Sequence, residues 1–214
     1  MIPSTATDRR EREKLAIRTK ILDAARELFV ERGYDAVTMR TIAEKIEYTP
    51  TAIYYHFKDK DALVRELCDE DYGHLSTEFQ KIATVADPIE RLKGMGIAYA
   101  RFAFEHPNHY RLMFMTPDCG GDLAPLERKG KPDQDGYAFL VWTVGQAIAS
   151  GRVRPEYHDV ELTSQIMWAA VHGIVALHIA KGNDKWVDWR PINQRVEAML
   201  TLLISGLTDG RSRA

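Results

Sequence analysis

The chain is 214 residues long, 45% hydrophobic and 28% charged, with a formal net charge of −2. Those proportions are those of an ordinary globular protein and exclude a wholly disordered chain or a disulfide-stapled mini-protein. Two cysteines far apart, Cys68 and Cys119, form no C-x-x-C pair, which points to a reducing, cytoplasmic setting. Charge is divided unevenly: residues 1–60 hold 12 Lys and Arg against 10 Asp and Glu, while the remainder is net acidic. The sign of that split suits an N-terminal face on phosphate. No apolar run approaches the ~20 residues of a membrane span, so no membrane partner is expected.

Residues 1–18 read as a polar, mixed-charge flexible arm. From Thr19, Ile21, Leu22, Ala25, Leu28 and Phe29 recur at helical spacing, and Gly33 ends the run as a C-cap. Thr38 offers an N-cap for a short helix over 39–46, with Ile42, Ala43 and Ile46 inward. After a polar break, Thr49 caps a second short helix whose first turn holds Pro50 and which ends near Phe57. Asp59 or Lys60 then opens a long helix towards Ile82.

Beyond Asp87-Pro88 the periodicity predicts helices over 88–105 and, past His106-Pro107, a short one over 110–115. Residues 116–134 are rich in Pro, Gly and charge and predict one long loop carrying Cys119. Helices over about 135–150, 157–181 and 191–207 follow, punctuated by Gly151 and Gly182. Strand signals are weak throughout. The predicted fold is all-α, with an arm at 1–18, a three-helix domain at 19–65, a larger helical domain at 66–208 and a tail at 209–214.

The segment 38–57 fits two short helices joined by a tight turn, an arrangement that lets the second helix enter a DNA major groove. With Ile53 and Phe57 packed inward, Thr51, Tyr54, Tyr55 and His56 point outward. Hydroxyls of this kind reach phosphates or base edges. Thr38, Arg40, Thr49, Lys58 and Lys60 complete the candidate DNA-binding set. Arg40 is also able to reach a guanine, the commonest specific pairing. Arg9, Arg10, Arg12 and Lys14 in the arm are candidates for phosphate or minor-groove contacts, with a solvated tail as the alternative.

The residues Ile21-Leu22-x-Ala-Ala25-x-x-Leu-Phe29, Gly33-Tyr34, Val37-Thr-x-Arg-x-Ile-Ala43, Ala52-Ile-Tyr-Tyr-His-Phe57 and Lys60-x-x-Leu63 closely resemble the DNA-binding domain of the tetracycline-repressor family. The resemblance implies a homodimeric regulator that binds palindromic operator DNA and is released by a small molecule. One departure stands in the turn, where family members often carry glycine and this chain has Glu47; a strained backbone or a modified turn is expected there. Trp168-Ala-Ala-Val-His172-Gly173 and Phe104-Glu-His-Pro-Asn-His-Tyr-Arg-Leu-Met-Phe114 resemble a C-terminal subgroup with a Trp…His-Gly signature.

Helices 157–181 and 191–207 are apolar on more than one stripe, which leaves a face over for dimerisation; burial within their own domain is the alternative. Tyr99, Phe102, Met113, Phe114, Phe139, Trp142, Trp168 and His172 are candidate walls of a pocket for a hydrophobic or aromatic effector, or else core residues. No cofactor is indicated. His106 and His109 straddle Pro107 without a completing ligand set, so no metal site is expected. A helical enzyme and a transcriptional activator are the competing readings. Against the enzyme stands the lack of a phosphate loop, a nucleophile elbow or a paired metal-ligand motif.

Overall fold

Gly33 and Thr38 set the first two helices as their chemistry dictates. The computed structural model describes residues 6–115 and 128–208, and the bounds below refer to these. Helix α1 (Ala6–Arg32) ends where Gly33 takes a φ of 76° and its N–H bonds the Phe29 carbonyl at 2.9 Å. Helix α2 (Met39–Lys45) begins at Thr38, whose hydroxyl accepts the Thr41 N–H while the Thr41 side chain caps the Thr38 N–H. Helix α3 (Pro50–His56) begins at Thr49, whose hydroxyl accepts the Ala52 N–H. Asp59 caps α4 (Lys60–Gln80) by accepting the Ala62 N–H at 2.7 Å.

The expected flexible arm is corrected from Ala6 onward, where the chain is already helical. No Gly or Pro interrupts residues 6–32. Arg9 pairs with Glu13 one turn on, and Arg12 bonds the Asp8 carbonyl. The buried stripe at residues 21–29 nucleates the helix, and each further turn towards the N-terminus then costs little. Arg18 fixes the joint: it pairs with Glu66 of α4, donates to the His56 carbonyl at 2.8 Å, and lies 4.3 Å over the Phe57 ring.

The turn between α2 and α3 bears out the expectation at Glu47. It adopts a φ of 60°, the one left-handed non-glycine among the described residues. The Tyr48 N–H reaches back to the Ala43 carbonyl at 2.9 Å and the Glu47 N–H to Glu44 at 3.2 Å, so the strained residue closes the end of α2.

The chain divides into two units, with the boundary inside α4 between Asp71 and Tyr72 instead of at 65/66. The first contains residues 6–71 together with 108–115, hence nearly all of α6 (Pro107–Met115). Its core joins Ile21, Phe29, Ile42, Ile53, Leu63 and Leu67, all fully or almost fully buried. Asp71, with no exposed surface, pairs with buried Arg26 of α1 at 2.9 Å and takes His109 of α6 at 2.7 Å on the same oxygen.

The second unit contains α5 (Pro88–Glu105), α7 (Gly136–Ala149), α8 (Val160–Lys181) and α9 (Ile192–Leu207), with a 3-10 turn at Pro155–Tyr157. Its core packs Ile89, Leu92, Val144, Ala147, Val153, Met167 and Leu207. Gly96 lets α5 and α9 close on each other: a Cβ there would lie 2.4 Å from a Leu200 methyl. An isolated antiparallel bridge pairs Val153 with Thr208; no strand occurs among the described residues. Contrary to the sequence expectation, α8 is by length and composition apolar enough to cross a membrane. Its apolar residues divide between a buried face and an outward one, which is how a packed helix with a second apolar face acquires that composition. Residues 1–5, the Cys119 part of the long loop and the tail at 209–214 lie outside the described residues.

Two stability predictions follow from these joints. Glu47→Gly removes the left-handed penalty and raises unfolding free energy by about 1 kcal/mol, read from chemical denaturation. Asp71→Asn removes the buried carboxylate that Arg26 and His109 share, leaves Arg26 only Asp23 and the more distant Glu70, and lowers it by about 3 kcal/mol.

Candidate nucleic-acid interface and aromatic centre of the second unit

Ile53 and Phe57 are buried on α3, which turns Thr51, Tyr54 and Tyr55 to the outside as the spacing predicts. Tyr54 is 55% exposed and Tyr55 75%. Exposing two neighbouring tyrosines on a seven-residue helix is costly unless something covers them, and their hydroxyls are suited to phosphate. Lys58 is exposed just beyond them.

His56 is only partly exposed, and its Nδ1 is buried with no hydrogen-bond partner. Burial holds its pKa below the usual histidine value, and the cations Arg18 and Lys14 push it the same way. The ring is therefore neutral at neutral pH and meets Tyr55 edge-on at 5.3 Å.

Other members of the predicted set have local duties. Thr38 and Thr49 are exposed, but their hydroxyls accept the capping N–H groups of α2 and α3. Arg40 is exposed and bonds Glu44 one turn on at 2.9 Å. Lys60 is turned inward, a correction to its expected place on the outer surface. Its ammonium donates to the Tyr34 and Val37 carbonyls at 2.9 and 3.1 Å and lies 3.8 Å over the Tyr34 ring. Lys60 adds a second donor to the Tyr34 carbonyl, which also accepts the Val37 N–H at 3.3 Å, and caps the Val37 carbonyl in the turn after α1.

Two lysines of α1 that the spacing argument left out of the recognition surface stand at either end of α3. Lys14 lies 5.8 Å over the Tyr55 ring, and Lys20 lies 6.0 Å over Tyr48 in the turn. Among the described residues neither has a carboxylate within ion-pairing distance, unlike Arg9, Arg18, Arg26 and Lys45. Sequence spacing offers Lys14 only as part of the arm and misses Lys20, because α1 and α3 meet only in three dimensions. The helical continuation before Thr19 is what carries Lys14 into place.

In the second unit the predicted pocket residues fall into small groups. The Trp168 indole N–H donates to the Tyr99 hydroxyl at 3.3 Å, and that hydroxyl lies 3.1 Å from His172 Nδ1. Burial lowers the His172 pKa and so favours its neutral ring. Tyr137 packs on Trp168 at 5.8 Å and donates to Glu161 at 2.8 Å. Phe139 stacks on Trp142 at 5.6 Å, and Phe102 is buried against His106. Met113 and Phe114 belong to the first unit, where Met113 is buried and Phe114 packs on Tyr110 at 5.0 Å.

The outward face of α8 carries Leu162, Ile166, Ala169, Gly173 and Leu177, and Leu202 on α9 is 75% exposed. These positions recur at three and four residues, opposite the buried Thr163, Met167, Val171 and Val175.

The sequence of residues 21–67 matches the model for bacterial regulatory proteins of the tetR family, and residues 92–203 match that for the tetracyclin repressor-like C-terminal domain. The second match includes Trp168, His172 and Gly173. The HTH-type transcriptional repressor KstR2 of Mycobacterium tuberculosis is 30% identical over 162 residues, covering 72% of this chain and 79% of the relative. Among solved structures, the ketosteroid transcriptional regulator KstR2 of M. tuberculosis aligns with a TM-score of 0.65 at 23% identity, covering 90% of this chain and 95% of that one. The fatty acid degradation regulator FadR of Bacillus halodurans aligns with a TM-score of 0.71 at 17% identity, covering 89% and 95%. With two domain matches in their proper order and a relative spanning most of both chains, this protein belongs to the tetR family of bacterial regulatory proteins.

Proposed function

We propose that the chain is a transcriptional repressor of the cytoplasm that binds a pseudo-palindromic operator as a homodimer and leaves it when a small hydrophobic effector binds the second unit. The observation that carries the DNA reading is the outer face of α3. Two exposed tyrosines and Thr51 stand there with Lys58, and Lys14 and Lys20 flank them. Thr51 and Tyr54 meet bases or the phosphates beside them. Thr38, Arg40, Thr49, Tyr55, His56 and Lys58 line the same surface, mostly as backbone anchors. The lysines carry much of the affinity by releasing counterions. The repressor sense is favoured by the KstR2 relative, a transcriptional repressor.

A dimer through α8 and α9 is supported by their outward apolar stripe, which would bury against its own copy as a four-helix interface. Each α3 would then read one half-site, with centres about 34–36 Å apart or somewhat more. The effector reading is supported by the aromatic groups around Trp168 and Trp142, and by the two structural neighbours, a ketosteroid transcriptional regulator and a fatty acid degradation regulator. An effector acts by binding the DNA-incompetent arrangement more tightly than the competent one.

Binding of the purified protein to the DNA upstream of its own gene, followed across a salt series, tests the core of this reading. Tight, sequence-selective and salt-sensitive binding is expected. The double change Tyr54→Ala with Lys58→Ala abolishes it while circular dichroism stays unchanged, and retained binding would remove α3 as the recognition element. Lys14→Ala and Lys20→Ala each weaken binding on all sequences alike and reduce the salt slope by about one. For the dimer, Ile166→Glu with Leu202→Glu is expected to yield monomers by light scattering at micromolar concentration. A dimer that survives both changes would place the interface elsewhere.

A further inference from the structure

Arg91 on α5 has only 4% of its surface exposed, yet no carboxylate lies within ion-pairing distance of it among the described residues. Buried guanidinium groups are ordinarily paired, because an uncompensated charge in a protein interior is costly. Asp87, one turn back, acts on Arg91 only through space: it is held by Arg152 and by the Ile89 N–H. The other neighbours of Arg91 are neutral. Its Nη2 donates to the Gln146 carboxamide oxygen, and its guanidinium carbon lies 4.6 Å over the Trp142 ring. Its Nε is buried with no hydrogen-bond partner at all.

Nε–H and Nη2–H form one edge of the guanidinium fork, the edge that takes a carboxylate side-on through two parallel N–H···O bonds. Here that edge is half used, by a neutral oxygen on Nη2 and nothing on Nε. The group holding the place, Gln146, is solvent-exposed and able to swing outward with little desolvation to undo. Trp142, 40% exposed, offers an apolar surface beside the same guanidinium and continues into a stack with Phe139 and Phe79.

We propose that Arg91 is a carboxylate anchor: an amphipathic acid displaces Gln146, takes both Nε–H and Nη2–H, and lays its apolar part against Trp142. The inference rests on the effector reading above and narrows it to ligands with an acidic headgroup.

The test compares dodecanoate with dodecan-1-ol on the full-length protein, by tryptophan fluorescence and thermal shift, with inorganic phosphate as a headgroup control. Dodecanoate is expected to bind at least tenfold more tightly than the alcohol, the discrimination that a charge-assisted pair supplies. Arg91→Met should erase that difference while leaving alcohol binding in place. Gln146→Ala, which leaves Arg91 intact, should strengthen dodecanoate binding severalfold and leave dodecan-1-ol unchanged. Equal binding of acid and alcohol, no binding of either, or discrimination that survives Arg91→Met would overturn the anchor. So would a Gln146→Ala protein indistinguishable from the native one, or phosphate binding as tightly as dodecanoate. Operator release separates this inference from the one beneath it. Release by both probes alike keeps the effector reading and sinks the anchor. Acid discrimination without release by either probe sinks the effector reading and keeps the anchor.

Discussion

Asp71 accepts Arg26 from α1 and His109 from α6 while showing no surface to solvent. Three helices of the first unit therefore share one buried carboxylate. Arg26 is held in turn by Asp23 on its own helix at 2.9 Å, so the positive charge has a second acceptor. In water such pairs contribute little, but inside a protein separating them leaves a desolvated charge. Any displacement of α6 must carry α4 and α1 with it or break this junction. The three helices behave as one piece, and the recognition helix is fastened to that piece by Arg18, which reaches Glu66 on α4 and the last carbonyl of α3.

That construction explains an otherwise odd division of labour among the cations of the first unit. Arg18, Arg26 and Lys60 face inward and brace helix ends. Lys14, Lys20 and Lys58 are left to the outside, around two exposed tyrosines. Net charge on this segment is small because the bracing residues need acids beside them. The electropositive surface comes from where the unpaired lysines stand, and not from the sum.

The boundaries of the helices were legible because each is set by one residue acting on its neighbours: Gly33 by its φ, Thr38 and Thr49 by their hydroxyls, Pro50 by its missing N–H. Glu47 was legible for the same reason, since only a left-handed residue fits that turn. The start of α1 was not, because a polar, mixed-charge segment reads alike as coil or as an exposed helical turn. What decides it is the buried stripe downstream and the anchoring of Arg18 to Glu66. Lys60 was misplaced because its partners, the Tyr34 and Val37 carbonyls, are brought to it by the fold. Arg91 escaped notice because a charge within a helical stripe reads as an exposed position. Its meaning lies in an absent partner, which spacing cannot reveal.

Helix α8 ties these strands of argument together. Its buried face carries Thr163, Met167, Val171 and Val175, and its outward face Leu162, Ile166, Ala169, Gly173 and Leu177. Trp168 and His172 sit between the two, one turn apart, hydrogen-bonded to Tyr99 of α5. Under the proposed function one rigid helix presents effector-facing side chains on its flank and the dimer face on its outside. A ligand that breaks the Trp168–Tyr99–His172 chain would free α8 to turn about its axis. Rotating α8 turns the dimer face by the same angle. The sensing of a small molecule and the geometry of the dimer would then be coupled through a single element.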